Sequence, residues 1–99
     1  MTLKLGTVLM TQGISSRVKR DMKFNDFVSR CVVRHKCGDW GDLCEEDRRM
    51  NDEAIEAERE GGDTDRLFSA YETGIGKLYV ITEWDRSTTT VLTPGEYRA

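Results

Sequence analysis

Six residues fix the frame of this chain. Phe24, Phe27, Val28, Cys31, Val32 and His35 recur at i, i+3, i+4, i+7, i+8 and i+11, which places them on one face of a helix. A helix with one apolar face needs a second apolar surface to bury it, and the rest of the sequence supplies strands for that surface. Asn25 is placed to cap this helix, with Asp26 at the positive end of its dipole, and Gly38 supplies the left-handed residue that ends it.

Upstream, Leu3–Met10 reads as a strand. Leu3, Leu5, Thr7 and Leu9 share one face and Gly6, Val8 and Met10 the other, a pattern expected of a strand covered by protein on both sides. Thr11-Gln12-Gly13 reads as a turn, after which Ser15 and Ser16 cap a short helix to about Met22. Downstream, Asp42 and Glu45 form a D-x-x-E variant of the capping box, predicting a helix from Leu43 to about Glu60. Its apolar seam is narrow (Leu43, Met50, Ala54 and Ala57, with Ile55 at the side), so it belongs on the surface, and Gly61-Gly62 ends it.

Three further strands follow, at Arg66–Thr73, Lys77–Glu83 and Thr88–Leu92, joined by a glycine-bearing hairpin loop at Thr73-Gly74-Ile75-Gly76 and a turn at Trp84–Ser87. Pro94-Gly95 closes the last strand. The order β-α-α-α-β-β-β specifies an α+β, two-layer fold. An antiparallel sheet of about four strands carries helices on one face, in a single domain over residues 1–99. The first strand joins the meander at one edge, with its partner left open.

Composition narrows the function classes. Apolar residues are 37% and charged residues 33%, and no apolar run reaches the roughly 18 residues that span a bilayer. The opening Met1–Gly6 is too short an apolar stretch for a signal peptide, so the expectation is a cytoplasmic protein without membrane contact. The net charge of −3 conceals a separation of sign. Residues 1–38 hold eight bases and two acids, residues 39–65 twelve acids and three bases, and the remainder balances. One consequence is pairing of the basic and acidic helices across their loop. Another is an acidic face that imitates a nucleic-acid backbone and captures a basic partner. The same acids argue against direct nucleic-acid binding, because they cancel the attraction of the neighbouring bases.

The chemistry-bearing residues concentrate in Arg34-His35-Lys36-Cys37-Gly38-Asp39-Trp40-Gly41-Asp42. His35 is the only histidine and stands at the end of the apolar face, which suits a helix-end residue bonded to a carbonyl or carboxylate. It also suits a general base oriented by Asp39 or Asp42. Asp39, Asp42, Glu46, Asp47, Glu83 and Asp85 could together hold Mg²⁺ or Mn²⁺, although no strand-borne D…ExK pattern accompanies them. Cys31, His35, Cys37 and Cys44 have zinc-ligand chemistry but match no common spacing, and Cys31 falls on the apolar stripe. The thiols are therefore expected reduced, with no metal and no cofactor. Arg86 either pairs within its own turn or reaches back to Asp39 or Asp42. No dinucleotide, P-loop or nucleophile-elbow motif is present.

These residues carry a resemblance. Leu5-Gly6-Thr7-Val8, Arg34 to Asp42, Glu46-Asp47 with Asn51, Arg66 to Tyr71, Ile81 to Thr90 and Pro94 to Tyr97 resemble a family of small plasmid-related and mobile-element proteins. Some of its members carry a type I restriction-enzyme label. The R-H-x-x-G-D-W-G-D and I-T-E-x-D-R-S segments are its specific part. The family has T-P-G where this chain has Thr11-Gln12-Gly13, and it lacks the cysteines, which puts a zinc site in further doubt. The resemblance brings no activity, but it implies that the Asp39–Asp42 loop and the Glu83–Arg86 turn form one shared feature.

The expectation is thus a non-enzymatic interaction protein of mobile-element origin. Its binding residues would be Asp39, Trp40, Asp42, Glu46, Glu53, Glu56, Glu60, Glu83, Asp85 and Arg86. Its partner would be a basic, nucleic-acid-binding host protein, and its concrete role inhibition of a host defence nuclease of restriction or CRISPR type. The alternative is a small metal-dependent hydrolase or nuclease centred on His35, Asp39, Asp42 and Glu83.

Overall fold

In a computed structural model of the chain, residues 3–73 and 76–97 are described. The elements run β1 (Thr7–Met10), α1 (Gln12–Arg20), α2 (Met22–Lys36), α3 (Glu45–Arg59), β2 (Leu67–Thr73), β3 (Gly76–Thr82) and β4 (Thr88–Leu92), then a 3₁₀ turn at Pro94–Glu96. The two central residues of the expected hairpin loop, 74 and 75, lie outside the described residues. The four strands form one sheet in the order β1-β4-β3-β2, with helices on one face, as the α+β pattern requires.

The sheet is mixed rather than wholly antiparallel. β2, β3 and β4 form the antiparallel meander, and β1 adds to β4 in parallel, Thr7 opposite Thr88 and Met10 opposite Val91. The topology explains this. Three helices carry the chain from β1 across one face to β2 at the far edge, and two hairpin reversals then return it to β1 in β1's own direction.

Register fixes the core. Leu67, Ser69 and Tyr71 of β2 face the helices with Leu78, Val80 and Thr82 of β3 and Thr89 and Val91 of β4, and all eight are fully buried. The predicted apolar face of α2 meets them: Phe24, Phe27, Val28 and Cys31 cluster with Ile14, Tyr71, Leu78, Val80 and Val91. A second cluster joins Leu3, Trp40, Ala54, Ile55 and Leu67 beneath α3. On the other face, Phe68 and Tyr79 pack with Tyr97, ring centroids 4.7–5.8 Å apart.

Several helix starts differ from the sequence reading. Thr11 is the first cap, so Gln12 and Gly13 are helical rather than a turn. Asp21, not Asn25, caps α2 by accepting from the Phe24 N–H at 3.1 Å. α3 starts two residues beyond the expected Leu43, with Cys44 as its cap, which releases Asp42 for another task. β1 is also shorter than expected, because Gly6 turns at φ 65° where a side chain would strike the Ser87 carbonyl. All four β1 residues are exposed, so the expected cover on both faces is missing.

Candidate functional site

The helix junction from Arg34 to Asp42 is a device for closing a sheet edge. β2 is an edge strand, and its outward backbone groups would otherwise offer a template for pairing. Gly41 bridges to Ala70: the Ala70 N–H donates to the Trp40 carbonyl (3.3 Å) and the Asp42 N–H to the Ala70 carbonyl (2.7 Å). The Asp42 carboxylate then accepts from the Glu72 N–H at 2.8 Å. Asn51 of α3 completes the row, its amide donating to the Phe68 carbonyl (2.7 Å) and accepting from the Phe68 N–H (3.2 Å). Only glycine fits at 41, where φ is 75° and a Cβ would lie 2.0 Å from the Ala70 oxygen.

The loop's other side chains hold this lock in place. Asp39 takes a two-pronged bond from Arg34, 2.7 and 3.3 Å, and accepts from the Gly41 N–H at 3.1 Å. The Arg34 bond holds its carboxyl below the usual range. Arg34 also lies 4.7 Å from the centre of the Tyr71 ring, whose hydroxyl donates to the Asp39 carbonyl at 2.6 Å. Trp40 is 5% exposed; its ring meets His35 edge-on, and its indole N–H donates to Asp52 at 2.9 Å. Arg48 donates to the Gly41 carbonyl at 2.7 Å.

His35 is fully buried between the two apolar clusters: Cys31, one turn earlier, belongs to the first and Trp40 to the second. Its Nδ1 is 2.6 Å from Ser69 Oγ and its Nε2 2.9 Å from Thr82 Oγ1. Donor arithmetic assigns the protons. Thr89 donates its single hydroxyl proton to the Leu5 carbonyl (2.7 Å), so in the 2.7 Å contact with Thr82 it must accept. Thr82 therefore gives its proton to Thr89 and accepts from His35, which places the imidazole proton on Nε2, while Ser69 donates to Nδ1. Burial, then the positive charge of Arg86, pushes the imidazole down to about 4. This is a neutral, fully satisfied core histidine.

The Glu83–Arg86 turn is a second lock, and it is not joined to the first as expected. Arg86 is buried at φ 59° and reaches α3 instead of Asp39 or Asp42. Its Nε lies 2.9 Å from the Glu58 carboxylate, and its Nη1 donates to the Asp65 and Glu83 carbonyls at 2.8 and 3.0 Å. Asp85 stays within the turn, accepting from the Ser87 N–H and hydroxyl at 3.0 and 2.6 Å. The turn is thereby pinned to the last part of α3, and it exposes Trp84.

The expected site residues therefore divide. Asp39, Trp40, Asp42, Asp85 and Arg86 are bound up in structural contacts, Glu83 is half-buried and lends its carbonyl to Arg86, and Glu46, Glu53, Glu56 and Glu60 are exposed. The hydrolase constellation does not assemble: both His35 nitrogens face hydroxyls, and Asp39 and Asp42 are held by Arg34 and a strand N–H. Among the described residues no group of three His, Cys, Asp or Glu side chains could hold a metal ion. Cys31 is buried, with its thiol pushed up to about 11 by burial, while Cys37 and Cys44 are exposed.

Nor do the basic and acidic helices pair. Among the described residues no ion pair joins α1 or α2 to α3, because α2 covers the middle of the sheet while α3 runs along the β2 edge. Sequence reasoning missed Asn51, Glu58, Ser69, Thr82 and Thr89 as partners; the placing of serine and threonines on the buried face of apolar strands was the available signal. No helix among the described residues is long and apolar enough to cross a membrane. Comparison of the chain with protein-family models, with curated proteins and with solved structures finds no match in any of the three.

Proposed function

We propose that the protein acts by binding another protein through the outer face of α3 and the adjoining Trp84–Asp85 turn. Residues 45–60 hold eight acids against three arginines. Among the described residues Glu53 and Glu56 pair with exposed arginines, Arg49 at 3.9 Å and Arg59 at 3.3 Å, contacts that solvent and salt weaken. The observation that carries the reading is the position of Trp84. It is 62% exposed, and the Arg86–Glu58 ion pair holds its turn against the acidic helix. An exposed tryptophan beside a field of carboxylates suits an anchor for a basic protein surface, since tryptophan concentrates binding energy and the acids set orientation and encounter rate. Trp40, expected among the binding residues, is buried, and Trp84 stands in its place.

The same field repels phosphate, so the partner is a basic protein rather than nucleic acid itself. With the resemblance to plasmid-borne proteins, this supports a mobile-element protein acting in the cytoplasm, its target the basic nucleic-acid channel of a host defence nuclease. Affinity capture from a host extract, assayed for co-purifying protein, nucleic acid and metal, tests this. A basic protein released by moderate salt is expected. Recovery of nucleic acid or a tightly held metal in its place overturns the reading.

A further inference from the structure

The two edges of the sheet are treated in opposite ways. β2 is closed by Gly41, Asp42 and Asn51, which engage its backbone at Phe68, Ala70 and Glu72. β1, at the other edge, is guarded only by its shortness, having four residues and no lysine, proline or bulge in Thr7-Val8-Leu9-Met10. Its Thr7 N–H and the following Thr11 N–H donate inward, to Ser87 and Val91 carbonyls of the β4 side at 3.0 Å each. The alternation of a strand then turns the N–H and C=O of Val8 and Met10 outward. Beside them lies an apolar groove of about 350 Å³ between β1 and α2, lined by Val8, Met10, Asn25, Val28, Ser29 and Val32. Val8, Leu9 and Met10 are 45%, 47% and 44% exposed.

We infer that β1 and this groove receive an extended segment of another protein, which adds as a fifth strand. The segment's backbone pairs with Val8 and Met10, and its alternate apolar side chains enter the groove against Val28 and Val32. Charge selects the occupant. The groove's lining holds neither acid nor base, but α2 and the run into β1 expose Lys4, Lys23, Arg30 and Lys36 against the single acid Asp26. A second copy joined edge to edge would bring two such basic halves together, whereas a segment with acidic residues flanking its apolar core matches them. This surface is distinct from the acidic face of α3, so either can fail without the other.

The test uses the full chain and a synthetic peptide with valine at alternate positions and an Asp-Glu pair at each end. Amide resonances of Val8 and Met10 should shift saturably and their hydrogen exchange should slow. The same peptide with lysines at both ends should bind at least about tenfold more weakly, and added salt should narrow the gap. Met10→Pro removes one outward donor without touching the β4 bonds, and Val8→Glu adds an acid to the groove; both should weaken binding with the fold retained by circular dichroism. No change at Val8 and Met10, equal binding of the lysine-flanked peptide, or a dimer in which these amides are already protected each overturns the proposal.

Discussion

Replacing His35 by glutamine separates a structural histidine from a catalytic one. The glutamine amide offers one neutral donor and one acceptor, as the Nε2-protonated imidazole does toward Thr82 and Ser69, but it does not titrate. In the folded protein burial holds His35 neutral down to about 4, whereas in the unfolded chain it protonates near 6.5. Between those values the unfolded state binds the extra proton, so stability is full above 6.5 and falls as pH drops toward 4. At pH 4 the loss from this residue amounts to about 3 kcal/mol relative to pH 7.5. Carboxylates that protonate at the lower end of the window do so in both proteins, so their difference isolates the imidazole.

Urea unfolding, followed by fluorescence of the buried Trp40, gives the two stability curves. His35→Gln is expected to be less stable than the native chain at pH 7.5, because a flexible amide fills the ring's place imperfectly, and to close most of that gap by pH 4.5. As the chain holds one histidine, its ring titration by NMR is read without assignment. Parallel stability curves, or a ring titrating near 6.5, would refute the burial argument.

The edge lock makes two further predictions. Asn51→Ala strips the Phe68 N–H and C=O of their partners and is expected to cost about 2 kcal/mol in urea unfolding, with faster exchange of the Phe68 amide; a loss below about 0.5 kcal/mol contradicts the lock. Gly41→Ala combines a positive φ with a collision at the Ala70 carbonyl and is expected to lower Tm by more than about 10 °C, read by thermal denaturation.

How much of this was legible depended on the range of each interaction. The helical face from Phe24 to His35 was readable because its period is local, and it packs where that period requires. The strand order was not fully readable, since β1's pairing with β4 joins residues some eighty positions apart and no local signal encodes it. The Arg34–Asp42 stretch misled for a chemical reason. A histidine and aspartates near a helix end have the composition of an active site, but what they do is set by groups distant in sequence, such as the Glu72 N–H for Asp42 and the Ser69 and Thr82 hydroxyls for His35. Asp42 fits a capping box in sequence, yet the extra residues before α3 leave it free to close a strand edge instead. Trp40 and Trp84 could not be ranked by exposure from sequence, because each follows an acid and stands in a short connecting segment.

The claim that the outer face of α3 is the binding surface is tested most directly by reversing its charge. With the captured basic protein as ligand, the affinity of the native chain is compared by calorimetry with that of the Glu53→Lys, Glu56→Lys, Glu60→Lys triple variant. All three positions are exposed, so matched circular dichroism and unfolding curves are expected for the two proteins. A loss of at least about 100-fold is expected, with most of the salt dependence removed. Unchanged affinity in a folded triple variant would contradict that claim.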